Sequence, residues 1–279
     1  MSGVVVNGAL EAIPGLVCTS WHDDPRVRLR IGEDGAARPR GTWVRGITLH
    51  STRGIPGGSD RRAQRILPGL GPTRSTALAT NQWWSRNGQS AGAHLVVDFD
   101  ATVVCLADLA TEQTYHATSV NPVTIGIEIA QGSEADFWEQ QLEAVVALVD
   151  WLTLRFSIQR QVPDRYRGPL DRLRRGARDY VGVFGHRDQS AMRGPGDPGD
   201  AIFERLVAAG YEPVDISAGD DLRAWRQRQR VLGVAEDGIP GPATCSALRQ
   251  FQEQHGLTPT GIADAATRRA LEAPDGDRT

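Results

Sequence analysis

Thr124-Ile-Gly-Ile-Glu-Ile-Ala130 places isoleucine at every second position, with Thr124, Gly126 and Glu128 between. A period of two marks a strand with one buried face, because successive side chains point to opposite sides. Glu128 is thereby set on the face away from the isoleucines. Two more stretches repeat the pattern. In Val44-Arg-Gly-Ile-Thr-Leu-His50, Ile47 and Leu49 oppose Gly46, Thr48 and His50. In Val181-Gly-Val-Phe-Gly-His186, Val181 and Val183 oppose Gly182 and His186, and Phe184 is the one large apolar exception. If the three strands are neighbours, His50, Glu128 and His186 share a face.

Further strands are expected at His94 to Asp98 and Thr102 to Leu106, joined by a turn at Asp98-Phe-Asp-Ala101. Trp138, Leu142, Val145, Val149, Leu152 and Phe156 fall four and three apart, which is one apolar face of a helix, and Ser133 and Asp136 form a capping-box pattern ahead of it. A short helix is expected around Thr76 to Arg86. Strands mixed with covering helices predict an α/β (α+β) fold with a mixed central sheet.

The C-terminal part is different. Asp237-Gly-Ile-Pro-Gly-Pro-Ala-Thr-Cys-Ser-Ala-Leu248 aligns with Thr260-Gly-Ile-Ala-Asp-Ala-Ala-Thr-Arg-Arg-Ala-Leu271 at an offset of 23 (260 − 237). Two similar turn-helix units therefore pack together as a small all-α bundle. The expected division is a catalytic domain over 1–211 with its core at about 40–210, a linker over 212–221 and a helical domain over 222–279.

The 279 residues have 40% hydrophobic and 23% charged content, as in a soluble globular protein, and a formal net charge of −3. Such a balance offers no basic field for nucleic acid, and no stretch has the ~20 apolar residues of a membrane span. Every basic side chain is an arginine, since the chain contains no lysine. Cys18, Cys105 and Cys245 are widely spaced. They read as buried thiols, with a Cys18–Cys105 bridge as the alternative.

His50, His186 and Asp197, in Asp197-Pro-Gly199, supply two imidazoles and a carboxylate. Three such ligands with a fourth position left for water make a catalytic zinc (Zn2+) site. Asp188 and Asp200 are alternative carboxylates. His94, His22 and His255 read as structural or surface residues. Asp188 reads as orienting a histidine or capping its loop.

Thr48-Leu-His50, Ala93-His94, Tyr115-His116-Ala, Asn121 leading into Ile125-Gly-Ile-Glu128, Gly185-His186-Arg-Asp188 and Asp197-Pro-Gly199 stand in an order that resembles the zinc-dependent N-acetylmuramoyl-L-alanine amidases of type 2. That group is similar to the peptidoglycan recognition proteins. The resemblance covers about 40–210. It implies His50, His186 and Asp197 as zinc ligands, Glu128 as catalytic acid/base, and His116 and Asn121 as residues of the substrate cleft. Many members carry a lysine two positions before the aspartate ligand; here that position is Pro195, and Arg193 is the candidate substitute. The segment Leu222 to Leu271 resembles the peptidoglycan-binding domain type 1.

Together the resemblances imply a monomeric, wall-lytic endolysin whose partner is bacterial peptidoglycan. The first residues, Met-Ser-Gly-Val-Val-Val-Asn, lack the basic and apolar regions of a signal peptide, so synthesis is expected in the cytoplasm and action at the cell wall or periplasm after release. A non-catalytic peptidoglycan-binding protein, a bacterial autolysin and a zinc peptidase acting on the stem peptide are the alternatives.

Overall fold

A computed structural model describes residues 2–30, 37–52, 65–73, 76–86, 91–132, 136–166, 181–190, 193–215 and 220–273. The alternating stretches form the middle of a six-stranded sheet. The His50 strand, Gly46–Ser51, lies between the Glu128 strand, Thr124–Ile129, and the His186 strand, Gly182–Gly185, and is parallel to both. Leu95–Val97, Val103–Cys105 and Cys18–Ser20 complete the sheet. The Leu95 and Val103 strands are antiparallel and flank the expected turn. Register places Glu128 opposite His50 and Phe184 opposite Thr48.

One face of the sheet packs under the helix Glu139–Phe156. Ile47, Leu49, Ile125, Ile127 and Ile129 are fully buried there with Leu142, Val145, Val149 and Leu152. Each such side chain contributes about 1.5–3 kcal/mol by leaving water. The helix starts five residues later than the Ser133 and Asp136 pattern implies, with Trp138 rather than Ser133 at its N-cap. Asp136 lies before the helix in an ion pair with Arg65, and Gln141 instead reaches back to accept from the Trp138 N–H. Ser133 is outside the described residues. The helix Thr76–Arg86 forms as expected and packs Ala77 against Val96 and Val104 on the other face. Phe184, the exception to alternation, fills a small cluster with Ala117, Val120 and Val123 on that same side.

The two repeat units are the helices Pro242–Gln254 and Ala265–Glu272 with the turns before them. Each turn is tied by a buried glutamine. Gln229 donates to the Ile239 carbonyl and Thr244 Oγ1 and accepts from the Gly238 N–H. Gln252 repeats this with Ile262, Thr267 and Gly261, again 23 residues on (252 − 229). Gly238 and Gly261 have φ of 82° and 73°, a left-handed conformation that only glycine takes without strain.

The stretch 212–221, expected as a linker, begins as a strand. Glu212–Val214 pairs in parallel with Gln161–Pro163. From there the helical unit is joined to the sheet domain by buried polar contacts. Gln159 donates to the Gly261 carbonyl and accepts from the Ala263 N–H, while Trp225 Nε1 donates to Gln161 Oε1. All three cysteines are free and buried, so no Cys18–Cys105 bridge forms. Among the described residues no helix is long and apolar enough to cross a membrane.

Candidate active site

The parallel arrangement brings His50 and Glu128 near the ends of adjacent strands, and His186 opens a one-turn helix directly after the third. Asp197 comes from the loop that follows. Its backbone carbonyl accepts from the Arg187 N–H at 2.8 Å, and its Oδ1 accepts from the Ser51 N–H at 2.9 Å. Arg187, fully buried, also reaches the Pro195 carbonyl and Asp200. One guanidinium thus folds the loop back over the strand ends.

The ligand atoms of His50, His186 and Asp197 all lie within 4.8 Å of one another, and the three residues are buried. His186 Nδ1 is 3.5 Å from Asp197 Oδ2 and has no hydrogen-bond partner. Glu128 Oε2 is likewise buried and without a partner. Unsatisfied buried polar atoms cost free energy, so each of the two needs an explanation. Burial holds His50 well below the usual histidine range and takes His186 to about 3, so both rings are neutral with a free lone pair. Burial pushes Asp197 up to about 6. Burial, then the charge of Asp197, pushes Glu128 up to about 8.

The alternative carboxylates have other duties. Asp188 Oδ2 accepts from the Gly185 N–H and caps the one-turn helix, while Asp200 pairs with Arg187 at 2.6 Å. Arg193 does reach the site, with Nε 3.7 Å from Asp197 Oδ2 and its side chain partly exposed. Asn121 is turned inward; its Oδ1 accepts from the His116 and Ala117 N–H groups, which shapes the loop. His116 is buried, with Nδ1 3.1 Å from His50 Nε2 and Nε2 3.1 Å from Thr124 Oγ1. His94 accepts from the Gly126 N–H, contacts the Glu112 carbonyl and lies beside Arg40, a structural position as expected. His255 is held at the Phe251 carbonyl.

The family model for N-acetylmuramoyl-L-alanine amidase matches residues 40–200, more than half of the chain, and holds every residue of this cluster. The chain belongs to that amidase family. A second model, for a peptidoglycan binding domain, matches residues 202–271 of the amidase. A search of curated proteins found no match. Among solved structures, the N-acetylmuramoyl-L-alanine amidase LysC from Clostridium intestinale URNW is 18% identical over 60% of this chain and 84% of that one, with a TM-score of 0.38. The endolysin amidase LysCS from the same organism is 17% identical over 60% and 96%, with a TM-score of 0.36. A Drosophila PGRP-LB mutant in complex with tracheal cytotoxin is 12% identical over 71% and 96%, with a TM-score of 0.44.

Proposed function

We propose that the amidase is a zinc-dependent, wall-lytic enzyme of the endolysin type, which cleaves the amide between N-acetylmuramic acid and L-alanine in bacterial peptidoglycan. A catalytic domain over about residues 40–210 does the chemistry, and the helical unit after it holds the enzyme on the polymer. The observation that carries the reading is the pairing of a His50, His186 and Asp197 cluster with two unpartnered buried atoms, His186 Nδ1 and Glu128 Oε2. Two neutral imidazoles and a carboxylate fit a divalent zinc ion, and an imidazole nitrogen without a partner is what such an ion would complete. When bound, zinc makes water more acidic and polarises a carbonyl.

The side chains of the chain itself supply the rest. The Ser51 N–H holds Asp197 in place, and Arg187 fixes the loop that carries it. Glu128, with nothing bonded to Oε2, is free to take a proton from the attacking water and give it to the departing L-alanine nitrogen. In the metal-free chain burial and the Asp197 charge favour its protonated form, and a cation held by Asp197 would draw it back toward the ionised form that can accept a proton. Arg193 places a permanent positive charge beside Asp197, where the family pattern has a lysine and this chain has Pro195.

Metal analysis of the purified chain with end-group analysis of digested walls tests the reading. Bound zinc and new L-alanine amino-termini are expected. A chain that binds no zinc and releases no such termini would overturn it, and other amino-termini would identify a peptidase acting on the stem peptide.

A further inference from the structure

The contacts around His116 form a chain whose direction is set from the Thr124 hydroxyl. Val120 O accepts from Thr124 Oγ1 at 2.9 Å, His116 Nε2 lies 3.1 Å from the same hydroxyl, and His116 Nδ1 lies 3.1 Å from His50 Nε2. A carbonyl only accepts, so the single hydroxyl proton of Thr124 goes to Val120. The hydroxyl oxygen must then receive its second bond from His116 Nε2–H. The His116 ring is buried edge-on to the His50 and His94 rings, and among the described residues no carboxylate bonds to it, so it carries one proton; with that proton on Nε2, its Nδ1 is bare. A bare Nδ1 is satisfied only if His50 donates from Nε2. His50 is thereby left with its lone pair on Nδ1.

We propose that His116 is a positioning residue that sets the tautomer and ring orientation of His50 and so prepares Nδ1 as a metal ligand; this rests on the zinc reading above. The Glu128 strand is built around it. Thr124, Gly126 and Glu128 share a face: Thr124 holds the far nitrogen of His116, and Gly126 makes room for the ring. A Cβ at Gly126 would lie 2.5 Å from His116 Cγ, closer than side-chain atoms approach. Asn121 fixes the backbone from which the ring projects. Outer partners of metal-bound histidines orient the ring and raise its basicity, and removing one commonly costs about 10–100-fold in metal affinity.

Two measurements separate this inference from the zinc reading. Nitrogen-15 NMR of the metal-free full chain reports the tautomer of His50 directly; the Nε2–H form is expected, and an Nδ1–H form would overturn the proposal whether or not zinc binds. Zinc affinity, read by competition with a chromogenic chelator, should fall about 10–100-fold in His116→Phe. It should return most of the way in His116→Asn, whose Oδ1 takes the place of the Nδ1 acceptor. Unchanged affinity in a folded His116→Phe chain would also sink the proposal, whereas a parent chain that binds no zinc would sink the metal reading alone.

Discussion

The two ends of the same parallel strands use their buried uncharged and acidic side chains differently, Gln159 and Gln161 at one end and His186 and Glu128 at the other. At the carboxyl end, His186 Nδ1 and Glu128 Oε2 are buried with nothing to bond to, beside a carboxylate and a second imidazole. At the amino end, where the helical unit docks, each end of the Gln159 and Gln161 amides has a partner. Gln161 accepts from Trp225 and donates to Val181 O at the start of the His186 strand, and Gln159 bridges Gly261 and Ala263. Packing alone would favour satisfaction at both ends, since an unpaired buried group costs about 1–3 kcal/mol. Folding stability is given up at the site proposed for the chemistry, as local rules are commonly broken at functional sites.

Substitutions at the open end should therefore cost activity and spare the fold. The largest effect is expected for His50→Ala, which should lose both bound metal and detectable release of L-alanine amino-termini while the metal-free chain still unfolds cooperatively. Next comes Glu128→Gln, expected to lower turnover by about 10²–10⁴-fold with zinc retained. This variant should also stabilise the metal-free protein. The folded pKa of Glu128, about 8, lies above the ordinary glutamate value of 4.5, so the folded state holds the proton longer than the unfolded chain. Stability is then lost as pH rises from about 4.5 through about 8, and the neutral glutamine escapes that loss. Thermal melts should show the variant ahead of the parent by more at pH 9 than at pH 5; a deficit at pH 9 would mean that the carboxylate is not held in an unfavourable environment.

The open end was also the more legible end in the sequence. Parity within Val44 to His50, Thr124 to Ala130 and Val181 to His186 is local, and one buried face fixes the register of a strand, so the convergence of His50, Glu128 and His186 followed from adjacency alone. The glutamine sockets gave no such signal. Gln159 meets Gly261 across about a hundred residues, and nothing near either marks the pairing. His116 is intermediate: its place near the cleft was readable by resemblance, but its bond to His50 depends on Gly126 and on a loop closed by Asn121. The edge strand Cys18–Ser20 is three residues long and finds its partner at Val103–Cys105, too short and too distant for periodicity to reveal.

The closed end should give the converse result, with smaller numbers. Gln159→Leu leaves the Gly261 carbonyl and the Ala263 N–H without their partner, at about 1–3 kcal/mol for each buried group. For a domain of this size each kcal/mol lowers the melting temperature by about 2–4 °C. Turnover of soluble muropeptides should be unchanged. A chain ending at Ala218 should lose wall affinity and melt earlier than the parent, because Trp225, buried against Gln161, goes with the helical unit. An unaltered melting temperature in that truncated chain would show that the docking contacts add nothing to the sheet domain.

Arg193 lies between the two behaviours, a partly exposed charge at the rim of the open end, and the smallest effect is expected there. Its guanidinium draws both Asp197 and Glu128 toward lower pKa values, against the larger opposing effect of burial. At 3.7 Å from Asp197 Oδ2 it acts by charge rather than by a close hydrogen bond. Arg193→Gln removes that charge, so Glu128 should hold its proton to higher pH. The limb of the pH–rate profile that reports its ionisation should then move upward, with turnover at the optimum reduced less than about tenfold. A donor aimed at the developing oxyanion behaves otherwise, because its removal commonly costs about 10²–10³-fold at every pH. A loss of that size with an unmoved limb would place the guanidinium on the oxyanion itself, in the role that the lysine of the family pattern vacates at Pro195.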